Sequence, residues 1–314
     1  MLKIFFASLG PMMTMFAYIA IGFFMRKKNL LPENTGMVLS RLETTLLIPA
    51  VIFSTMLEYG TAEVYIANFS IILYGGIAIA FGVVFAVILS VFFAKKDKYK
   101  KKIYRYALTF ANAAHAYPIV PLIMGGDKAL FHYCLFLLPT YFATYCYGVP
   151  MLIPKENKSK NPIINLLNPT IIALILGFTF SVTGVKTCIP DFAVSVASSL
   201  KGCSGPLLMF LTGFIIAGFD FGEILNNKKV YIATILRLFI IPAIIMVILY
   251  FLGASKDILG YALFGFGCPL GLFTVVIPAS YEKDTRIGSG MAAISCTASM
   301  LSLPIMYALL NTVL

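Results

Sequence analysis

Charge is what this chain has little of: 12% of its 314 residues are Asp, Glu, Lys or Arg, while 60% are hydrophobic. A soluble domain of that length needs far more charge to cover its surface, which excludes an ordinary globular protein. Catalytic signatures are missing as well. There is no H-E-x-x-H and no Ser/His/Asp pattern, and 2 histidines with 13 acidic residues leave little to build a catalytic cluster from. No G-x-x-x-x-G-K-[ST] and no polar block that could house one is present, which sets ATP-driven machinery aside. The 6 cysteines form no C-x-x-C pair, and five lie in apolar blocks with Cys188 in a loop. Neither a disulfide framework nor a zinc site is expected, and the cysteines read as small apolar packing residues.

What the chain has is apolar length. Mean hydropathy is +0.92, and ten blocks reach the ~20 residues that a helix needs to cross hydrocarbon. They run at about 4–25, 37–57, 64–93, 103–124, 129–152, 163–185, 191–218, 229–252, 257–280 and 287–312. Lipid offers the backbone no hydrogen-bond partner, so the blocks must be helices in a bundle. The expectation is an all-α integral membrane protein. The first block is too long for a signal-peptide core and is followed by Arg26-Lys27-Lys28 without a cleavage site, so it reads as a retained span.

The net charge of +11 is sorted by side, which argues for topology and against nucleic acid. Eighteen of the 24 lysines and arginines lie in or beside the odd-numbered loops. The densest run is Lys95, Lys96, Lys98, Lys100, Lys101, Lys102 and Arg105; the opposite side has Lys3, Lys128, Lys186 and Lys256. Positive-inside bias then places the odd loops in the cytoplasm and both termini outside a plasma (inner) membrane. The basic run is a second-order contact for lipid headgroups.

An internal repeat spans half the chain. Gly22, Pro32 and Pro49 have counterparts at Gly177, Pro190 and Pro206, displaced by 155, 158 and 157. The halves are 1–157 and 158–314, each with five segments. An odd number makes the second copy enter from the opposite side, a 5+5 inverted repeat of the kind alternating-access carriers use. Equivalent segments of both halves are interrupted. The fourth reads Asn112-A-A-His115-A-Tyr117-Pro118-I-V-Pro121, with a break expected near Tyr117. The ninth reads Cys268-Pro269-L-Gly271-L-F-Thr274, and Pro269 follows Asn112 by 157 residues. A simple proline kink gives the same local pattern, but matched interruptions in two repeats point to a binding site where the helices cross.

Several stretches, in order along both halves, carry a family resemblance: R-L-E-T-T-L-L-I-Pro49, Asn112-A-A-H-A-Y-Pro118, L-N-Pro169-T-I-I-A-L-I-L-Gly177, S-G-Pro206-L-L-M-F-L-T-Gly213, Arg237-L-F-I-I-Pro242 and C-T-A-S-M-L-S-L-Pro304. The chain resembles the auxin efflux carrier family, whose bacterial members include malonate-transporter-like proteins. The resemblance implies a bile-acid-symporter or sodium/proton-antiporter type of fold. A scaffold (about 1–60 and 163–218) would face a moving transport domain (about 64–152 and 229–314). It also implies an organic anion substrate: a monocarboxylate, a dicarboxylate or an auxin-like acid. Three positions depart from the family pattern: His115 with Ala116 and Tyr117 where glycine is common, Glu43 in place of an apolar residue, and Pro278 before Tyr281.

The expected substrate site comprises Asn112, His115, Tyr117, Pro118, Cys268, Pro269, Gly271 and Thr274. Asn112 is a neutral donor for a carboxylate or, as a packing device, an amide bridging two helices. His115, three residues on, is a proton acceptor or a packed neutral ring. Glu43 is a proton relay, or it pairs with Arg41 or reaches the interface. Arg237 extends its stem to the cytoplasmic surface. The tyrosines, including Tyr145 and Tyr147, read as packing or interface belts. No cofactor or metal is expected; proton and sodium both stand as coupling ions, and a homodimer through the scaffold helices as an assembly. The function these features imply is a secondary active or facilitative carrier of a small organic anion working by an elevator-type movement. The alternative is a sensor or channel on a carrier fold, with a membrane-embedded enzyme disfavoured by its missing groups.

Overall fold

The computed structural model describes residues 2–157, 167–218 and 227–313. Among these every regular element is helical. Among the described residues, six helices are long and apolar enough to cross a membrane: α2 (Thr35–Tyr59), α4 (Phe69–Phe93), α7 (Asp127–Leu152), α9 (Asp191–Ile216), α10 (Lys228–Phe251) and α13 (Arg286–Val313). They are joined by α1 (Leu2–Lys27), the short α3 (Ala62–Ala67) and α8 (Pro169–Val182). Two pairs of shorter helices complete the set: α5 (Lys98–Thr109) with α6 (Ile119–Met124), and α11 (Lys256–Gly267) with α12 (Phe273–Ser280).

Local chemistry sets the boundaries. The Asp97 carboxylate accepts from the Tyr99 and Lys100 N–H groups to start α5, and Ser255 accepts from Ile258 to start α11. Asn168 caps α8, and Pro169 fills its first position, where no donor is wasted. Turns of π-helix occupy 43–47, 144–148 and 236–240, and each is followed by a proline (Pro49, Pro150 and Pro242) at the start of the resumed α-helix. A proline ring clashes with the carbonyl one turn back, and the wider turn displaces that carbonyl. The expected third block is divided by a turn at Asn68, which separates α3 from α4.

The outer faces are apolar. Leu73, Val84, Ile88 and Phe92 point outward from α4, as do Ile232, Ile235, Val247 and Phe251 from α10. Such stripes are a liability in water and the proper surface in lipid. Inside, α1 packs along α9 and α8 along α2, while α4 packs on α5 and α7 and α10 on α11. Small residues allow these approaches. A Cβ on Gly22 would fall on the Phe210 carbonyl oxygen, and one on Gly213 on that of Ile19, so α1 and α9 touch backbone to backbone.

The interrupted helices cross in the interior. After α5 the chain is extended at Phe110, and Ala111 forms an isolated antiparallel bridge with Leu270. The Asn112 N–H donates to the Pro269 carbonyl at 2.8 Å, and the Leu270 N–H donates to Ser295 Oγ at 3.0 Å. The expected break near Tyr117 falls inside an interruption that runs from Phe110 to Pro118, between α5 and α6; it opens at 110–112, where the chain leaves the helix to pair with its crossing partner. Pro269 belongs to that extended pairing, where its carbonyl accepts from Asn112, and the second helix restarts at Phe273.

Candidate functional site

Beside the crossing lies a cavity of about 120 Å³. Ser40, Glu43, Thr44 and Ile48 of α2, Thr170 of α8, and Leu208 and Leu211 of α9 form one wall. The other wall is Tyr106, the crossing segments Ala111–Ala114 and Gly271–Phe273, Tyr117, and Thr140, Tyr141, Thr144 and Tyr145 of α7.

Of the expected site residues, Asn112, Tyr117 and Gly271 line this cavity. The Asn112 backbone is consumed by the crossing: its N–H goes to Pro269 and its carbonyl accepts from His115 N–H at 3.0 Å. Its side-chain amide has no protein partner among the described residues and faces the cavity. Gly271 stands opposite, where an added Cβ would lie 3.7 Å from that of Asn112. The Tyr117 hydroxyl pairs with the Tyr141 hydroxyl. The start of α12 lies on the cavity wall, and the first N–H groups of a helix have no intrahelical acceptor, so this wall is polarised toward negative charge.

The remaining expected residues point elsewhere. His115 lies behind the crossing, in a small apolar cavity with Met15, Met209, Pro269 and Cys296. Its Nε2 is 3.1 Å from the Thr212 hydroxyl, which itself donates to the Leu208 carbonyl at 2.8 Å. The single hydroxyl proton is therefore used, and His115 Nε2 is the donor. Pro118 packs against Gly205 in a depression on the far side. Cys268 is fully buried outside the cavity, and Thr274 bonds its hydroxyl to the Gly271 carbonyl at 3.2 Å.

Glu43 corrects another expectation. Arg41 lies two residues away and so on a different helical face; it is exposed, while Glu43 is 1% exposed and forms no ion pair among the described residues. The Ser204 hydroxyl donates to Glu43 Oε2 at 3.2 Å, and Oε1 is buried without a donor. Arg237 also departs from its expected place. It does not reach the surface: it is fully buried, and Nη1 donates to the Leu108 carbonyl at 3.2 Å. Leu108 sits in the last turn of α5, where carbonyls lose their helical partners, so the guanidinium caps the broken end.

Sequence reasoning missed the hydroxyl stripe of α7, reading Tyr145 as packing. Thr140, Tyr141, Thr144 and Tyr145 recur at i, i+1, i+4 and i+5, one polar face in an apolar segment, and that spacing was the available signal. Tyr145 donates to the Thr170 hydroxyl at 3.2 Å across the cavity.

On the far side Lys201 of α9 bonds Asp127 of α7 at 2.8 Å and approaches Glu58 of α2 at 3.6 Å. On the near side the cavity shares Thr44, Tyr145 and Phe273 with an open depression that runs out past Asn168 and Ile277.

Residues 156–307 match the family model described as membrane transport protein. No curated protein matches the sequence.

Proposed function

We propose that this chain is a secondary carrier that moves a small organic anion through the bilayer, a reading that the match of residues 156–307 to the membrane transport protein model supports. The observation that carries this reading is the crossing itself, with an uncommitted Asn112 amide and a helix start turned into one cavity. A carboxylate there finds a neutral donor and oriented N–H groups in place of its lost hydration. A neutral donor also releases its ligand, which a carrier requires.

An inverted repeat of ten segments accounts for the pairing of elements. The two interrupted helices are displaced by 158 residues, Lys98 to Lys256 and Thr109 to Gly267. Gly22 seats α1 on α9 while Gly177 seats α8 on α2, the equivalent pair with the halves exchanged. The packing also favours two bodies, a scaffold of α1, α2, α8 and α9 and a transport unit of the other helices, with the cavity between them. Substrate would cross by an elevator-type displacement of one body along the other, in a multi-pass membrane location.

The test is thermal-shift and uptake measurement on purified protein in proteoliposomes, using a carboxylate panel with and without sodium and a proton gradient. Saturable accumulation of one carboxylate supports a carrier. Uptake that never saturates, or a ligand that stabilises the protein but is never moved, points instead to a channel or sensor.

A further inference from the structure

The cavity pairs its amide with a buried acid and no basic side chain. Glu43 Oε1 and Thr140 Oγ1 are both buried, both without a hydrogen-bond partner among the described residues, and both residues line this one cavity. An ionised carboxylate oxygen is an acceptor with nothing to accept, and the desolvation of an uncompensated charge is costly. No Lys or Arg lines the cavity. A simple organic anion docked at Asn112 would therefore share a small space with a second negative charge. A ligand that carries its own cation removes the conflict and supplies the missing donor.

We propose that the transported carboxylate belongs to a small amino acid, whose carboxylate docks on Asn112 and the start of α12 while its ammonium is held by Glu43. This rests on the carboxylate reading given above and narrows it to zwitterions. An ammonium has three donors and no acceptor. The Glu43 carboxylate takes one from its wall and the Thr140 hydroxyl, on the opposite wall, takes another, while Ser204 holds the Glu43 carboxylate in place through Oε2. The scaffold thus provides the acidic group and the transport unit the anion site, so a ligand bearing both charges bridges the two bodies.

The experiment compares matched pairs on purified protein at neutral pH: alanine against propionate, 4-aminobutyrate against butyrate, with butylamine as the cation alone. At least one amino acid is expected to bind about tenfold or more tightly than its deaminated partner. Glu43→Gln should weaken that amino acid by about 10- to 150-fold while leaving the deaminated acid nearly unchanged. Asn112→Ala should weaken both. The wild-type comparison needs no variant, so a folding defect in Glu43→Gln does not rescue the idea. Deaminated acids that bind as well as or better than their amino partners, with Asn112→Ala still weakening them, overturn the zwitterion and leave the carboxylate carrier standing; proton uptake on their binding would mark Glu43 as a proton carrier instead. If no member of the panel binds, or Asn112→Ala binds all of them normally, both readings fall.

Discussion

At the residue scale, Asn112 and His115 lie three positions apart and face different spaces. The Asn112 amide is uncommitted in the cavity, and its backbone is what ties the crossing together. Asn112→Ala keeps that backbone, so it should fold normally and lose about 1.5–3 kcal/mol of carboxylate binding, roughly 10- to 150-fold. Binding by isothermal titration and a thermal midpoint on the same sample separate the two effects; wild-type affinity in the variant would remove the proposed site. His115 is instead a clasp on Thr212 of α9. His115→Ala should cost about 1 kcal/mol of stability with little change in substrate affinity. A large affinity loss at an unchanged melting point would instead put the ring in contact with substrate.

At the element scale, the broken helices and the glycine contacts make demands that single residues meet. Arg237 caps the Leu108 carbonyl at the end of α5, and two of its nitrogens, Nε and Nη2, have no hydrogen-bond partner among the described residues. Removing the guanidinium leaves a helix end uncapped inside the protein, so Arg237→Ala should lower the melting point clearly more than Asn112→Ala does. Equal melting points would mean that the cap contributes nothing. Gly213 meets the Ile19 backbone where α1 and α9 touch, and no side chain can move aside there. Gly213→Val should therefore yield little monodisperse protein, since overpacking typically costs about 1–3 kcal/mol and more against backbone. Gly202→Ala is the control: it lies in the same helix with open space around it and should behave as wild type.

At the scale of the whole molecule, the proposed movement must break whatever ties one body to the other. The Lys201–Asp127 bond joins α9 to α7 on the side away from the open depression. Lys201 is largely buried and Asp127 is partly exposed, so the pair is worth a surface-like amount once screened, about 0.2–1 kcal/mol. Lys201→Gln should shift the conformational balance up to about fivefold, read as a changed labelling rate of a cavity cysteine. Replacing both residues by cysteine and bridging them with a bifunctional reagent should stop uptake, with a reductant-cleavable linker restoring it. Full uptake in the bridged protein would count against a sliding body. Topology is separately testable: with an impermeant thiol reagent on intact cells, a cysteine at position 256 should react and one at position 98 should not.

The sequence by itself determined the solvent and the class of fold. Apolar length against scarce charge admits only helices in lipid, and matched prolines half a chain apart located both interruptions to within several residues. It also named Asn112, Tyr117 and Gly271, because an amide, a hydroxyl and a glycine beside a helix break have few other uses. What the tertiary structure decided was direction. Glu43 and Arg237 are ordinary interface residues by position along their helices, and only packing turned the first into the cavity and the second onto the end of α5. His115 and Cys268 were turned away by the same crossing that presents Asn112. Periodicity fixes which residues share a face, but the partner of that face comes from segments more than a hundred residues away. A helix that leaves its own hydrogen-bond ladder takes its direction from that distant partner.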